Sequence, residues 1–277
     1  MPTYPHLMLE RQGAIGTLWL NRPDKLNALD RALWQDIPAA VGELDADPEV
    51  RVLVLAAQGR GFCAGLDLLD HAGSIGTGGS LSGRGESAVG RRRALYDDIR
   101  RYQHTASCFA LTNKPVIAAV HGVCLGAGMD LITACDVRLA SADATFSVRE
   151  TRIAMVADVG VIQRLPRIVG EGHARELIFT GRDIGAARAQ EIGLVNEVLP
   201  DRDSLLARAQ AIAAEIAAHS PLAVQGAKQV LGHASRRALE GELDYVALWN
   251  AAFLHSEDLG EAMQAFVARR KPEFRGR

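Results

Sequence analysis

Two stretches of this chain share one layout, and together they restrict its fold more than any other feature. RVLVLAAQGRGFCAGLDLL at 51–69 and PVIAAVHGVCLGAGMDLI at 115–132 each run a short apolar segment into a glycine-rich bend, then into a turn of small residues and an aspartate. An apolar run of that length without polar alternation is what a strand covered on both faces requires. The glycine bends bring exposed backbone amides to the ends of those strands.

The rest of the chain extends this pattern. AIGTLWL at 14–20 is an expected strand, closed by the turn Asn21-Arg22-Pro23-Asp24. Asp30 then stands ahead of RALWQDIPAAVGEL, whose Leu33, Ile37, Val41 and Leu44 recur at helical spacing, with Pro38 an expected kink. The CAGLD turn is expected to open a short helix, so that two helix N-termini converge on one point. VRLA after Asp136 and the run Val195 to Leu199 read as further strands, and Gly170 to Thr180 and Ala186 to Gly193 as short helices. Residues 72–90, AGSIGTGGSLSGRGESAVG, are too polar and flexible to pack by themselves; they read as a surface loop, or as a lid or pocket wall beside the first turn. A helix resumes over 91–111, with Leu95, Ile99, Tyr102 and Ala106 on its apolar side and Arg91, Arg92, Arg93, Arg100 and Arg101 on a basic one.

Past Pro200 the only periodicity is helical, from 203 to 269. The expected organisation is therefore an α/β core over 1–200 and a helical C-terminal region over 201–277. Its alanine-rich helices carry more apolar face than a thin appendage buries, which points to packing against another subunit.

A formal net charge of −2 gives no electrostatic basis for a nucleic-acid or anionic-membrane partner. No apolar run approaches the roughly 18 residues of a membrane span, and MPTYPHLMLERQG lacks the basic start and apolar centre of a signal peptide, so a cytoplasmic location is expected. Cys63, Cys108, Cys124 and Cys135 form no CxxC pair and read as reduced, buried thiols. The histidines show no HExxH or zinc spacing, and no metal is expected.

The chemistry follows from the glycine turns. Unpaired amides at a helix N-terminus carry partial positive charge, and small residues let a ligand approach them closely. The amides of Ala64 in CAGLD and Ala127 in GAGMD are expected to aim at one oxygen, as an oxyanion hole does. A dinucleotide-binding fingerprint fails here, because Gly126-Ala127-Gly128 is not completed at 131, which is Leu; no P-loop motif occurs. Three acids follow the second turn: Asp130, Glu150 and Asp158. Singly, each has a structural reading, dipole compensation for Asp130 and a helix cap for Asp158. Together around an oxyanion hole, they point to proton transfer at a carbon next to a stabilised enolate.

Over nearly its whole length the chain resembles the crotonase, or enoyl-CoA hydratase/isomerase, superfamily. The resemblance is carried by NRPDKLNAL at 21–29, GFCAGLDL at 61–68, KPVIAAVHGVCLGAGMDL at 114–131, CDVRLASADATF at 135–146, QRLPRIVG at 163–170 and the terminal KPEFRGR. It implies a spiral of ββα units with a helical C-terminal trimerisation region, a homotrimer or a hexamer of paired trimers, and an acyl-CoA thioester substrate. Coenzyme A is then part of the substrate, and no separate cofactor is implied. By the same resemblance the amides of Ala64 and Ala127 hold the thioester oxygen. Lys25, Leu26 and Ala28, the run Gly65, Leu66, Asp67 and Leu68, and terminal Lys271 and Phe274 line the CoA site.

Within the superfamily, hydratases usually carry Glu where this chain has Asp130 and a small residue where it has Asp158. The set Asp130, Glu150 and Asp158 is similar instead to the Δ3,5-Δ2,4-dienoyl-CoA isomerase branch. That implies Glu150 serving C2, Asp158 serving C6 and Asp130 tuning its neighbours, in fatty-acid β-oxidation. A 2-enoyl-CoA hydratase or another crotonase-family activity, and a non-catalytic acyl-CoA-binding homologue, are the alternative readings.

Overall fold

The computed structural model describes residues 4–71 and 87–276. Residues 72–86 of the expected Gly/Ser loop lie outside the described residues; Ser87 to Gly90 do not form a loop but cap and open a helix.

A six-stranded sheet runs through the centre. Its order is β1 (Leu7–Gln12), β2 (Ile15–Leu20), β3 (Val52–Ala57), β4 (Val116–Val120), β6 (Val137–Ser141) and β9 (Glu197–Leu199). All neighbours are parallel except the β1–β2 hairpin. The sequence reading lacks β1, because LMLERQ buries only Leu7 and an edge strand facing water shows no apolar signature. A second, three-stranded sheet pairs β7 (Thr145–Ser147) with β5 (Val123–Leu125) on one side and β8 (Ile184–Gly185) on the other.

Both faces of the large sheet are covered. Alternate residues Leu53, Leu55 and Ala57 of β3 pack in one cluster with Leu33, Ile37 and Val41 of α1 (Arg31–Ala46). Val52, Val54 and Ala56 point the other way, into a cluster with Leu205, Ala209, Ala213 and Ala217 of the helix Arg202–Ala218. That helix lies beyond residue 200 yet forms one layer of the core, so the boundary expected there cuts through the packing. Asp30 caps α1 by accepting from the Leu33 amide at 2.9 Å, and Pro38 is accommodated within its run.

In chain order the remaining helices are α2 (Ala88–Leu111), α3 (Ala127–Thr133), α4 (Val161–Val169), α5 (Glu171–Thr180) and α6 (Ala186–Glu191). They are followed by α7, the sheet-covering Arg202–Ala218, then α8 (Pro221–Phe253) and α9 (Glu257–Ala268). α8 is one helix where the sequence spacing reads as two segments.

The site end of the sheet is held by a strained turn after β2. Leu26 and Asn27 both adopt left-handed backbone, with φ of 50° and 54°. Asn27 is fully buried and stabilises this turn through its side chain: Oδ1 accepts from the Arg22 amide at 2.7 Å, while Nδ2 donates to Gln58 O at 2.9 Å and Gly61 O at 2.8 Å. Asn27→Ala strands those groups and leaves a Cβ-bearing residue in left-handed backbone with no side-chain bonds to hold it. The variant should lose about 3 kcal/mol of stability, read as a lower urea midpoint at unchanged slope.

Candidate active site

The two glycine turns lie side by side because backbone hydrogen bonds splice them together. Cys63 pairs with Cys124: the Cys63 amide donates to Val123 O and the Leu125 amide to Cys63 O, each at 2.9 Å. The approach demands small residues. A Cβ on Gly122, at φ +57°, would sit 2.3 Å from Arg60 O, and one on Gly128 would sit 3.0 Å from Cys63 Cβ. All four cysteines are free and buried, two of them in this splice.

The Ala64 amide is not available to a ligand, contrary to expectation. It donates to Leu26 O at 2.9 Å, while the Gly65 amide leans on Cys63 Sγ at 3.4 Å. The next amide, that of Leu66, has no acceptor among the described residues, and neither has that of Ala127 at the start of α3. A Cβ on Gly65 would lie 3.7 Å from the Ala127 amide nitrogen, so the two segments pass within contact distance. The helix expected after CAGLD does not open within the described residues 64–71. Residues 68–71 make a turn, pinned by the Asp67 carboxylate, which accepts from the Leu69 and Asp70 amides and from Arg22 at 2.7 Å. Among the described residues, the N-terminus of α3 borders the cavity, and no second one follows CAGLD up to residue 71.

The three acids line the same cavity as these turns, a space of about 300 Å³. Asp130, in the first turn of α3, is buried and accepts from the Val161 amide at 2.6 Å, so it caps α4 from a distance. Burial holds its carboxyl well above the usual range, the nearby Glu150 charge adds to this, and the Val161 amide and Arg164 oppose it. Glu150 opens a 3-10 turn, Glu150–Ile153, and its Oε2 is buried without a hydrogen-bond partner among the described residues. Burial pushes Glu150 up to about 7, with Asp158 adding to the effect. Asp158 is pushed up to about 6 by burial and drawn back by the Asn250 amide, which donates to Oδ2 at 2.7 Å. It does not cap α4, whose N-cap is Gly160. An acid held partly protonated and another with a similar affinity, next to unspent amides, are what proton exchange at carbon requires.

The other expected contacts divide. Gly65, Leu66 and Leu68 line the cavity with Ala64. Lys25 and Ala28 lie on the adjoining turn without lining it, Leu26 spends its carbonyl on Ala64, and Asp67 is occupied by the turn it pins. Lys271 and Phe274 are exposed on a tail folded back on α9, where the Glu273 amide donates to Glu261 and the Arg275 amide to Asp258. Phe266 of α9 and Leu254 reach the cavity instead, beside Leu95, Ile99 and Tyr102 of α2. Asn250 is absent from the sequence reading, although a lone amide among Val246, Ala247 and Leu254 on an otherwise apolar helix stripe is the kind of signal that marks a buried polar contact. Among the described residues no group of three or more His, Cys, Asp or Glu side chains is placed to hold a metal ion.

The family model described as enoyl-CoA hydratase/isomerase matches residues 10–277. The mitochondrial Delta(3,5)-Delta(2,4)-dienoyl-CoA isomerase of Dictyostelium discoideum is 41% identical over 98% of this chain and 92% of its own length. The peroxisomal Delta(3,5)-Delta(2,4)-dienoyl-CoA isomerase of Arabidopsis thaliana is 42% identical over 99% and 98%. Among solved structures, an enoyl-CoA hydratase from Mycobacterium avium subsp. paratuberculosis K-10 superposes with a TM-score of 0.83 at 26% identity, covering 99% of this chain and 100% of that one. The chain belongs to the enoyl-CoA hydratase/isomerase family, and its fold is the crotonase fold.

The raised carboxyls set a pH dependence whose sign is fixed. Glu150 and Asp158 keep protons in the folded chain at pH values where the unfolded chain has already released them. Stability should therefore fall as pH rises from about 4 to about 7. Glu150→Gln removes one contributor: relative to wild type it should be nearly neutral at pH 5 and about 2 kcal/mol more stable at pH 8, read from urea midpoints. An equal difference at both pH values would contradict the shift.

Proposed function

We propose that this protein shifts the double bonds of a 3,5-dienoyl-CoA to the 2,4 position, as the names of its isomerase relatives state for them. The observation that carries the reading is Asp158: its carboxyl shares one cavity with Glu150 and with the unspent amides of Leu66 and Ala127. A hydratase needs two acids to hold one water. A diene migration removes a proton from C2 and delivers one at C6, a span for which a second, separate proton carrier is useful.

In the proposed reaction the Glu150 carboxylate takes a C2 proton. The electron pair of that C–H bond forms C1=C2 as the carbonyl π pair moves onto oxygen, leaving an enolate conjugated with the 3,5-diene, the dienolate, whose oxygen accepts from the Leu66 and Ala127 amides. Protonated Asp158 then gives its proton to C6. As the oxygen re-forms its carbonyl, the double bonds settle at 2,3 and 4,5, and the two acids exchange their roles with solvent. Asp130 takes no proton in this scheme. It fixes α4 behind the site through the Val161 amide, while the mutual influence of Glu150 and Asp158 discourages both from being ionised together. CoA is carried by the substrate, and no further cofactor enters.

Lys25 and the turn through Ala28 are proposed as the CoA side of the cavity. Leu248, Trp249 and Phe253 leave an exposed apolar face on α8, which supports the expected homotrimer or its hexamer, with Lys271 and Phe274 free to meet a neighbouring copy's ligand. No helix of the described residues is long and apolar enough to cross a membrane, and the relatives' names, one mitochondrial and one peroxisomal, lend no support to a specifically cytoplasmic location.

Recombinant protein assayed on 3,5-dienoyl-CoA and on 2-enoyl-CoA separates the readings. Migration should dominate. Efficient hydration without migration would leave a hydratase, and acyl-CoA binding without turnover of either would leave a binding homologue. Asp158→Asn should lower migration by about 10²- to 10⁴-fold with dissociation of a saturated acyl-CoA changed less than about threefold; unchanged turnover would remove Asp158 from the mechanism.

A further inference from the structure

Asp158 is not a free carboxyl projecting into the cavity. The loop that carries it is clamped from two helices by amides that do different things. Gln103 of α2 donates from Nε2 to the Asp158 carbonyl and to Leu243 O, both at 2.8 Å, so it holds backbone. Asn250 of α8 donates from Nδ2 to Val156 O at 2.8 Å and to Asp158 Oδ2 at 2.7 Å, so it holds the carboxyl itself. Asn250 is 1% exposed, and both hydrogens of its amide are thereby spent. The two acceptors around this group leave one orientation of the side chain, since a flipped amide would set its oxygen against a carboxylate and a carbonyl.

We infer that Asn250 is the positioning residue for Asp158: it pins Oδ2, directs Oδ1 to the reacting carbon as the oxygen that exchanges the proton, and keeps the carboxyl from turning toward Glu150. This rests on the isomerase reading above and deepens it. Were the two acids hydrogen-bonded to each other, the Asp158 proton would point at Glu150 and not at C6, and the Glu150 carboxylate would be occupied instead of facing C2. An anchored Oδ2 separates them and leaves the dienolate as the path between the two positions. Among the described residues, Glu150 on the same stretch, Asp130 from α3 and the Tyr102 phenol from α2 interact with Asp158. His71, Arg149 and Arg152 line the same cavity but do not figure among the influences on the Asp158 carboxyl, and Arg164 acts on Asp130. Asn250 is thus the side-chain donor that stabilises the ionised form of Asp158 against its burial.

The test titrates Asp158 directly, by ¹³C carboxyl resonances assigned against Asp158→Asn, in wild type, N250L, N250D and Q103L. N250D keeps the shape of the side chain and replaces the donor by an acceptor, so it serves if N250L does not fold. Both Asn250 variants should raise the proton affinity of Asp158 by about tenfold or more, whereas Q103L, which loosens the same loop without touching the carboxyl, should leave it within about twofold. In D₂O with 3,5-dienoyl-CoA, the Asn250 variants should keep C2 exchange within about threefold and lose migration by about 10- to 100-fold. An unchanged Asp158 titration in both Asn250 variants, an equal shift in Q103L, or exchange and migration falling together would overturn the assignment. Absence of migration in wild type would refute the isomerase reading instead, and the titration would still decide the Asn250 bond.

Discussion

The backbone pairing of Cys63 with Cys124 is what the rest of the site depends on. β3 and β4 end at neighbouring places in one parallel sheet, and the chain leaves each through a glycine bend. Bonds from Cys63 to Val123 and from Leu125 back to Cys63 then fix the two bends against each other. Every residue of functional interest in the first half of the chain takes its place from this splice. Ala127 begins a helix because β5 ends there, and Leu66 faces it because Gly65 lets the segments touch. A side chain at 122 or 128 would part them.

Given that frame, the chemistry is governed by burial. The cavity takes three carboxyls out of water and supplies few opposing charges, and desolvation is the largest influence on each of them. The protein separates their fates through hydrogen bonds: an amide of α4 for Asp130, a side-chain amide of α8 for Asp158, and no side-chain partner for Glu150 Oε2 among the described residues. Three residues of one chemical class thereby stand in three settings, one holding a helix end, one anchored by a side-chain amide and one unanchored, which is the division the proposed reaction calls for. The C-terminal helices take part in this division, because α8 carries Asn250, and Leu254 and Phe266 close the cavity. The part of the chain that reads as an assembly region also completes its own site.

Much of the arrangement is legible in the residues. The covered strands at 52–57 and 116–120 announce themselves by unbroken apolar runs, and the three acids by their distance from the glycine turn. What escapes is whatever depends on long-range backbone pairing. Ala64 looks like an oxyanion donor because it sits at the small-residue turn, yet its amide is claimed by Leu26, a residue 38 positions earlier whose left-handed conformation no local pattern reveals. Within residues 68–71 an aspartate turn stands where a helix is expected to open, because Asp67 has Arg22 as a partner. The short strands β5, β7 and β8 and the edge strand β1 escape for a related reason: their stability comes from pairing across the fold and not from their own periodicity.

The central claim is that two carboxyls act at opposite ends of one dienolate. Its most direct test is to run the isomerisation of a 3,5-dienoyl-CoA in D₂O to a few per cent conversion and locate deuterium in the product by NMR. The two-acid arrangement predicts a 2,4-dienoyl-CoA labelled at C6, with C4 unlabelled. A 2,5-dienoyl-CoA carrying deuterium at C4, the mark of protonation over a short span, or a hydroxyl at C3 from added water, would contradict it.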